Sequence, residues 1–243
     1  MKIKFIKTKN VKQFIALMEE LNHLPPNIPK IALVYGEHGL GKSETIKWWA
    51  LKNDCVYVRA TKGMTSRWLI SEIAEELDEE PFWHLQENFL MIETKLKENP
   101  KTIIIDEVDF LIEKNIIETM RDIHDRTGCP LVLVGMGLID RKLSRYPHFT
   151  DRIYKSFKFE KYNVNDIKLI LKELTDLNFT DDGINYLATR TNQLRQLIKL
   201  INKLETITKT NNIDILDEFI VKGILNGREN IANVQATQTV LAS

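Results

Sequence analysis

The sequence predicts an α/β fold, a parallel sheet covered by helices on both faces, followed by a small all-α lid. Three observations predict it. Short apolar runs at 31–35, 55–59, 103–106 and 131–134 alternate with stretches of helical apolar spacing, as parallel strands joined by crossover helices require. A glycine-rich octet, Gly36-Glu37-His38-Gly39-Leu40-Gly41-Lys42-Ser43, follows the first of those runs directly. From Asn163 onward the strand-like runs stop and helical spacing alone continues.

Taken in order, residues 1–30 read as a short arm and one helix. Val11 to Leu24 is amphipathic, with Val11, Phe14, Ile15, Met18 and Leu21 on one face. Pro25-Pro26 ends it, and Pro29 sets the chain extended into the first strand, Ile31-Ala32-Leu33-Val34-Tyr35. We expect a packing helix here.

The octet has the composition a triphosphate site needs. Its glycines let the backbone curl so that successive N–H groups point at phosphate oxygens. A helix, Glu44 to Lys52, opens just after it and adds partial positive charge at its N-terminus. Lys42 can reach the outer phosphates and Ser43 can hold Mg²⁺. The expected cofactors are therefore ATP and Mg²⁺, with residues 36–44 as the cradle.

Trp48-Trp49 on the following helix is expected to pack in the core. Cys55 to Arg59 forms the second strand and leads to a loop bearing Lys62, Thr65, Ser66 and Arg67, a phosphate-contact composition. Thr65 or Ser66 can cap a helix from Trp68 to Leu77. Residues 82–98 suit another helix, stopped by Asn99-Pro100. The third strand then runs into Asp106-Glu107. Beside a phosphate loop, a strand ending in two acids places Asp106 on the metal shell and Glu107 where it can deprotonate an attacking water. Asn115 to Thr127 is helical, Gly128-Cys129-Pro130 turns into the fourth strand, and Met136 to Ile153 carries Arg141, Arg145 and Arg152 before a last strand.

The domain plan is thus an arm and helix (1–30), an α/β core (31–160), a helical lid (161–225) and a flexible tail (226–243). The lid helices are expected over Asp166–Leu177, Asp181–Thr189, Leu194–Thr208 and Ile215–Leu225, with Thr180 capping the second. The tail is a possible docking peptide for a partner.

Composition narrows the function. Hydrophobic residues make up 43% and charged residues 28%, with 34 basic and 34 acidic side chains and zero net charge. No global field pulls this chain onto nucleic acid, so any such binding needs a local patch or repetition in an oligomer. No apolar run reaches the ~18 residues of a membrane span. Cys55 and Cys129 read as reduced packing thiols, and a cytoplasmic setting follows. The five histidines have no metal-ligand spacing.

The phosphate loop, the Asp-Glu strand end, the arginine before the final strand and the helical lid together resemble an AAA+ ATPase. Tyr57-Val58-Arg59-Ala60 through Met64-Thr65-Ser66-Arg67 to Ile73-Ala74 further resembles the transposition-regulator group, the phage Mu B protein, TniB and TnsC. So do Arg121 to Gly128 leading into Val132-Leu133-Val134-Gly135-Met136, and Arg145-Tyr146-Pro147-His148-Phe149. The resemblance implies that Arg152 is the arginine finger reaching a neighbour's γ-phosphate, with Arg145 as runner-up, and that Arg195 senses phosphates in its own subunit. It implies ATP-bound filaments on duplex DNA, with Lys62, Thr65, Ser66 and Arg67 on the backbone, and recruitment of a transposase. Met136 departs from the pattern, since a thioether cannot position water as the usual polar residue does.

Two other readings compete. A helicase loader or initiator shares the same core. A signalling-switch ATPase would act on a protein partner without DNA. A small-molecule kinase is disfavoured because no acceptor pocket is suggested.

Overall fold

The computed structural model describes residue 2 and residues 4–227. The tail expected from 226 therefore lies almost wholly outside the described residues. The chain divides into two compact units, residues 12–160 and, in the other, residues 1–11 with those from 161 onward.

In the first unit a five-stranded sheet is built from β1 (Ile31–Tyr35), β2 (Val56–Arg59), β3 (Ile103–Asp106), β4 (Leu131–Gly135) and β5 (Ile153–Lys158). All neighbours are parallel, in the order β2-β3-β4-β1-β5. The helices are α1 (Lys9–Asn22, whose first three residues fall in the other unit), α2 (Lys42–Lys52), α3 (Ser66–Glu75), α4 (Leu85–Glu98), α5 (Asp109–Glu113), α6 (Ile117–Thr127), α7 (Ile139–Leu143) and α8 (Pro147–Thr150). Ile31, Leu33, Val58, Ile103, Ile105 and Leu131 join one core with Leu69 and Ile73 of α3, Ile92 and Leu96 of α4, and Met120 and Ile123 of α6. Alternate residues Ala32, Val34, Ile104 and Val132 are buried as well, so both faces of the sheet are covered. This is why the central strands read as unbroken apolar runs.

Several edges differ from expectation for identifiable reasons. Helix α3 begins at Ser66 because the Thr65 hydroxyl accepts the Trp68 N–H at 3.2 Å. Helix α4 begins only at Leu85, because the buried Asn88 side chain captures the backbone of Phe82 and holds it outside the helix. Of the tryptophan pair expected in the core, Trp49 is buried edge-on against Phe14 while Trp48 is half-buried. On α1 Leu17 is buried, and Ile15 is half-buried. Helix α5, a single turn, was not expected, being too short to show a period.

The second unit holds α9 (Val164–Leu174), α10 (Asp181–Arg190), α11 (Leu194–Asn211) and α12 (Glu218–Leu225). It is helical as expected, with one addition. β6 (Asn178–Phe179) pairs in parallel with β7 (Ile215–Leu216), a two-residue ladder too short for periodicity to reveal. The last helix accordingly starts at Glu218 rather than 215, capped by Asp217, whose Oδ1 accepts the Ile220 N–H at 2.8 Å. The first residues of the chain belong to this unit rather than forming an arm of their own. Lys2 donates its N–H to Leu174 O at 2.7 Å, and its ammonium pairs with Asp176.

Candidate nucleotide site

β1 delivers the chain directly into the glycine-rich loop. Gly36 is buried under β5, and a Cβ there would lie 2.8 Å from the Phe159 carbonyl oxygen, so a side chain is excluded. Gly41 closes the loop at φ +82°, left-handed backbone that glycine adopts without strain, and α2 starts at the next residue. The helix's first N–H groups have no partner within the helix, and its dipole adds partial positive charge there. Leu40 is buried and anchors the loop, while Glu37 and His38 are exposed and Ser43 is half-buried. The Lys42 ammonium reaches back over the loop, donating to the carbonyls of Gly36 and Glu37 at 2.7 Å each. Glu44 is exposed in the first turn of α2.

The two acids stand at the end of β3, two strands from β1 across the intervening β4. Asp106 is buried, and both its carboxylate oxygens are engaged. Oδ2 accepts the Tyr57 hydroxyl at 2.9 Å, and Oδ1 accepts the Glu107 N–H at 2.9 Å. Glu107 takes left-handed backbone at φ +56°, costly for a residue with a Cβ. Its carboxylate sits 3.5 Å from the Arg59 guanidinium. Tyr57 and Arg59 are alternate residues of β2, and Arg59 pairs in register with Asp106. One strand therefore holds both acids. Burial, and then the neighbouring Asp106 carboxylate, push the Tyr57 phenol well above its ordinary range, so it remains a hydrogen-bond donor. Sequence reading missed both residues; the period-two alternation of Val56, Tyr57, Val58 and Arg59 was the available signal.

Asp109 was also missed. Its buried carboxylate accepts the Met136 N–H at 2.8 Å and pairs with Lys142 at 3.0 Å. The end of β4 is thereby fixed to α5, and Met136 itself is 45% exposed.

The expected arginines occupy separate places. Arg152 is half-exposed and donates from Nε to Asp125 at 2.9 Å and from Nη1 to the His148 carbonyl, an intrachain arrangement. Arg145 is exposed and lines a cleft of about 400 Å³ with Lys142, Tyr146, Asn115 and Glu113. Arg195 is exposed at the start of α11, in the other unit. On the loop after β2, Lys62 is exposed, the Thr65 hydroxyl caps α3, and the Ser66 hydroxyl lies 3.5 Å from that of Thr119. The Arg67 guanidinium stacks over Trp83, 4.6 Å from the ring centre.

The donor set fits Mg²⁺. Among the described residues no three His, Cys, Asp or Glu side chains cluster as a metal cage. Mg²⁺ bound to nucleotide takes few protein ligands and keeps phosphate and water for the rest. One buried carboxylate held by a phenol and a backbone N–H suits that demand. Among the described residues no helix is long and apolar enough to cross a membrane.

Comparison with known proteins agrees with this geometry. Residues 29–143 match the family model described as AAA domain. A Staphylococcus aureus protein described as a potential ATP-binding protein is 28% identical over 130 residues, 49% of this chain and 48% of that protein. This chain thus spans about half the length of that relative. Among solved structures, the ORC2 protein of Aeropyrum pernix in ADPNP–ADP complexes superposes with a TM-score of 0.68 at 16% identity, covering 89% of this chain and 67% of that one. The ORC1 protein of Aeropyrum pernix, solved in complex with DNA, gives 0.61 at 15% identity over 98% of this chain and 69% of that one. Residues 29–143 thus resemble an AAA domain of the P-loop type, and the chain has the AAA+ fold.

Proposed function

We propose that this chain is an ATP-hydrolysing AAA+ switch that assembles on duplex DNA in its ATP state and regulates transposition by recruiting a transposase. The observation that carries the reading is the double hold of β2 on the two acids. Tyr57 fixes Asp106, Arg59 restrains Glu107, and the same strand leads within three residues to Lys62. A ligand engaging that loop would pull on the strand that restrains the catalytic carboxylate.

In this reading residues 36–44 cradle the phosphates through backbone N–H groups, and Lys42 exchanges two neutral carbonyls for anionic oxygens. Ser43 and Asp106 would hold Mg²⁺, which supplies charge neutralisation when bound. Glu107, released from Arg59, takes a proton from the attacking water. Arg152, exchanging Asp125 for a neighbour's γ-phosphate, makes hydrolysis depend on assembly, with Arg145 as the alternative. Arg195 senses the nucleotide from the lid. Lys62, Thr65, Ser66 and Arg67 contact the DNA backbone, weakly per subunit and strongly when repeated.

The likeness to the two ORC structures favours a second reading, an initiator or helicase loader with the same nucleotide chemistry. Electron micrographs with an ATP analogue, with and without duplex, test the proposal. Helical arrays on DNA that vanish in Lys42→Ala protein are expected. Monomers under both conditions would overturn assembly and leave the nucleotide site standing. Pull-down with a transposase against a replicative helicase separates the two readings.

A further inference from the structure

The loop between α3 and α4 displays large apolar side chains in a way the nucleotide site does not explain. Every residue from Pro81 to Glu87 is exposed, including Phe82 at 50%, Trp83 at 76% and Leu85 at 41%. Single exposed apolar residues need no explanation, but three within four positions form a patch.

The patch is held in place from several sides. Asn88, with no exposed surface, turns its amide oxygen and one N–H to Phe82, accepting its N–H at 2.5 Å and donating to its carbonyl at 2.9 Å. Lys95 pairs with Glu79 at 2.5 Å, fixing the other end of the loop. Arg67 covers one face of Trp83. A buried polar side chain devoted to holding aromatic residues outward is a presentation device.

Charge identifies what it presents them to. The exposed acids flanking the aromatic residues are Glu80 and Glu87, whereas Glu79 is paired with Lys95, and Glu75, Glu76 and Asp78 line a separate cleft with Lys47 and Lys101. Lys or Arg side chains of a partner would meet the Glu80 and Glu87 carboxylates at the rim and aromatic faces at the centre. We propose that the loop centred on Phe82 and Trp83 is a docking surface for a basic, amphipathic segment of a partner protein. Aromatic residues at the centre of a charged rim are the anchors such interfaces use. The inference is independent of the nucleotide site, and it shares Arg67 with the DNA contact proposed above.

The test uses the full chain and a fluorescein-labelled peptide with Lys and Leu at helical spacing, read by anisotropy. Its Glu-for-Lys counterpart, a single-stranded oligonucleotide and a duplex are the other probes. The Lys-Leu peptide should bind and the Glu version should not. Trp83→Ala should weaken binding at least about tenfold. Glu80→Lys combined with Glu87→Lys should weaken it by a comparable factor. All these side chains are exposed, so circular dichroism melts should match the parent. Peptide binding indifferent to Trp83→Ala would overturn the proposal. So would oligonucleotide binding that Trp83→Ala abolishes, which makes the patch a nucleic-acid surface. A concentration-dependent dimer in sedimentation that Trp83→Ala dissolves would also overturn it, because the occupant would then be a second copy.

Discussion

The phosphate loop and the aromatic loop both precede a helix and both present groups to solvent, yet they are built oppositely. Residues 36–43 are shaped by their own backbone, through Gly36 packed against Phe159 and Gly41 in left-handed conformation. What they offer a ligand is largely main-chain N–H. Residues 81–85 are shaped from outside, by Asn88, by Arg67, and by Lys95 acting through Glu79. What they offer is side-chain surface. A backbone-built site is written in contiguous residues, whereas a side-chain-built site is written wherever its supports happen to lie.

Four substitutions sharpen or break this contrast. The largest effect is expected at Glu107→Gln, which removes the proposed base and keeps the cradle. Hydrolysis should fall roughly 10²- to 10⁴-fold while ATP affinity is retained. Equal loss of affinity in a fluorescent-nucleotide titration would mean that the acid shapes the cradle after all. Lys42→Ala comes next, removing the charged hydrogen bonds proposed to reach phosphate, and should weaken ATP binding roughly 10- to 100-fold by calorimetry. Unchanged binding would show that the backbone alone suffices.

Asn88→Ala leaves the Phe82 N–H and carbonyl without their partner and should cost roughly 1–3 kcal/mol. At this chain length that lowers the melting temperature by several degrees. The nucleotide site should be untouched, and a change in ATP affinity would mean the two loops are coupled. The smallest effect is expected at Tyr57→Phe, which deletes one neutral donor to Asp106. Nucleotide affinity without Mg²⁺ should be unchanged, while the Mg²⁺ needed to reach half-maximal affinity should rise a few-fold. An identical Mg²⁺ titration would make Tyr57 a packing residue only.

Much of the fold was legible. Strands β1 to β4 fell within a residue of expectation, because β1, β3 and β4 are apolar runs buried on both faces and β2 alternates buried with more exposed residues. The phosphate loop and Asp106-Glu107 were legible for a related reason: their spacing along the chain is their geometry. The hold of β2 on the acids was not, since Tyr57 and Arg59 meet Asp106 and Glu107 only through parallel register between strands almost fifty residues apart. Nor was the partner that Arg152 finds within the chain, which depends on Asp125 arriving from α6. The two-residue ladder of β6 and β7 is too brief to leave a pattern.

Local sequence by itself determined the order of strands and helices, the curl of the glycine loop and the two acids at a strand end. All of these follow from backbone sterics and from apolar periodicity over a few residues. Only tertiary structure decided which side chains restrain those acids and which aromatic residues remain in water. Those outcomes depend on contacts between residues distant in the chain, where closing the sheet and packing its helices selects partners that no local pattern specifies.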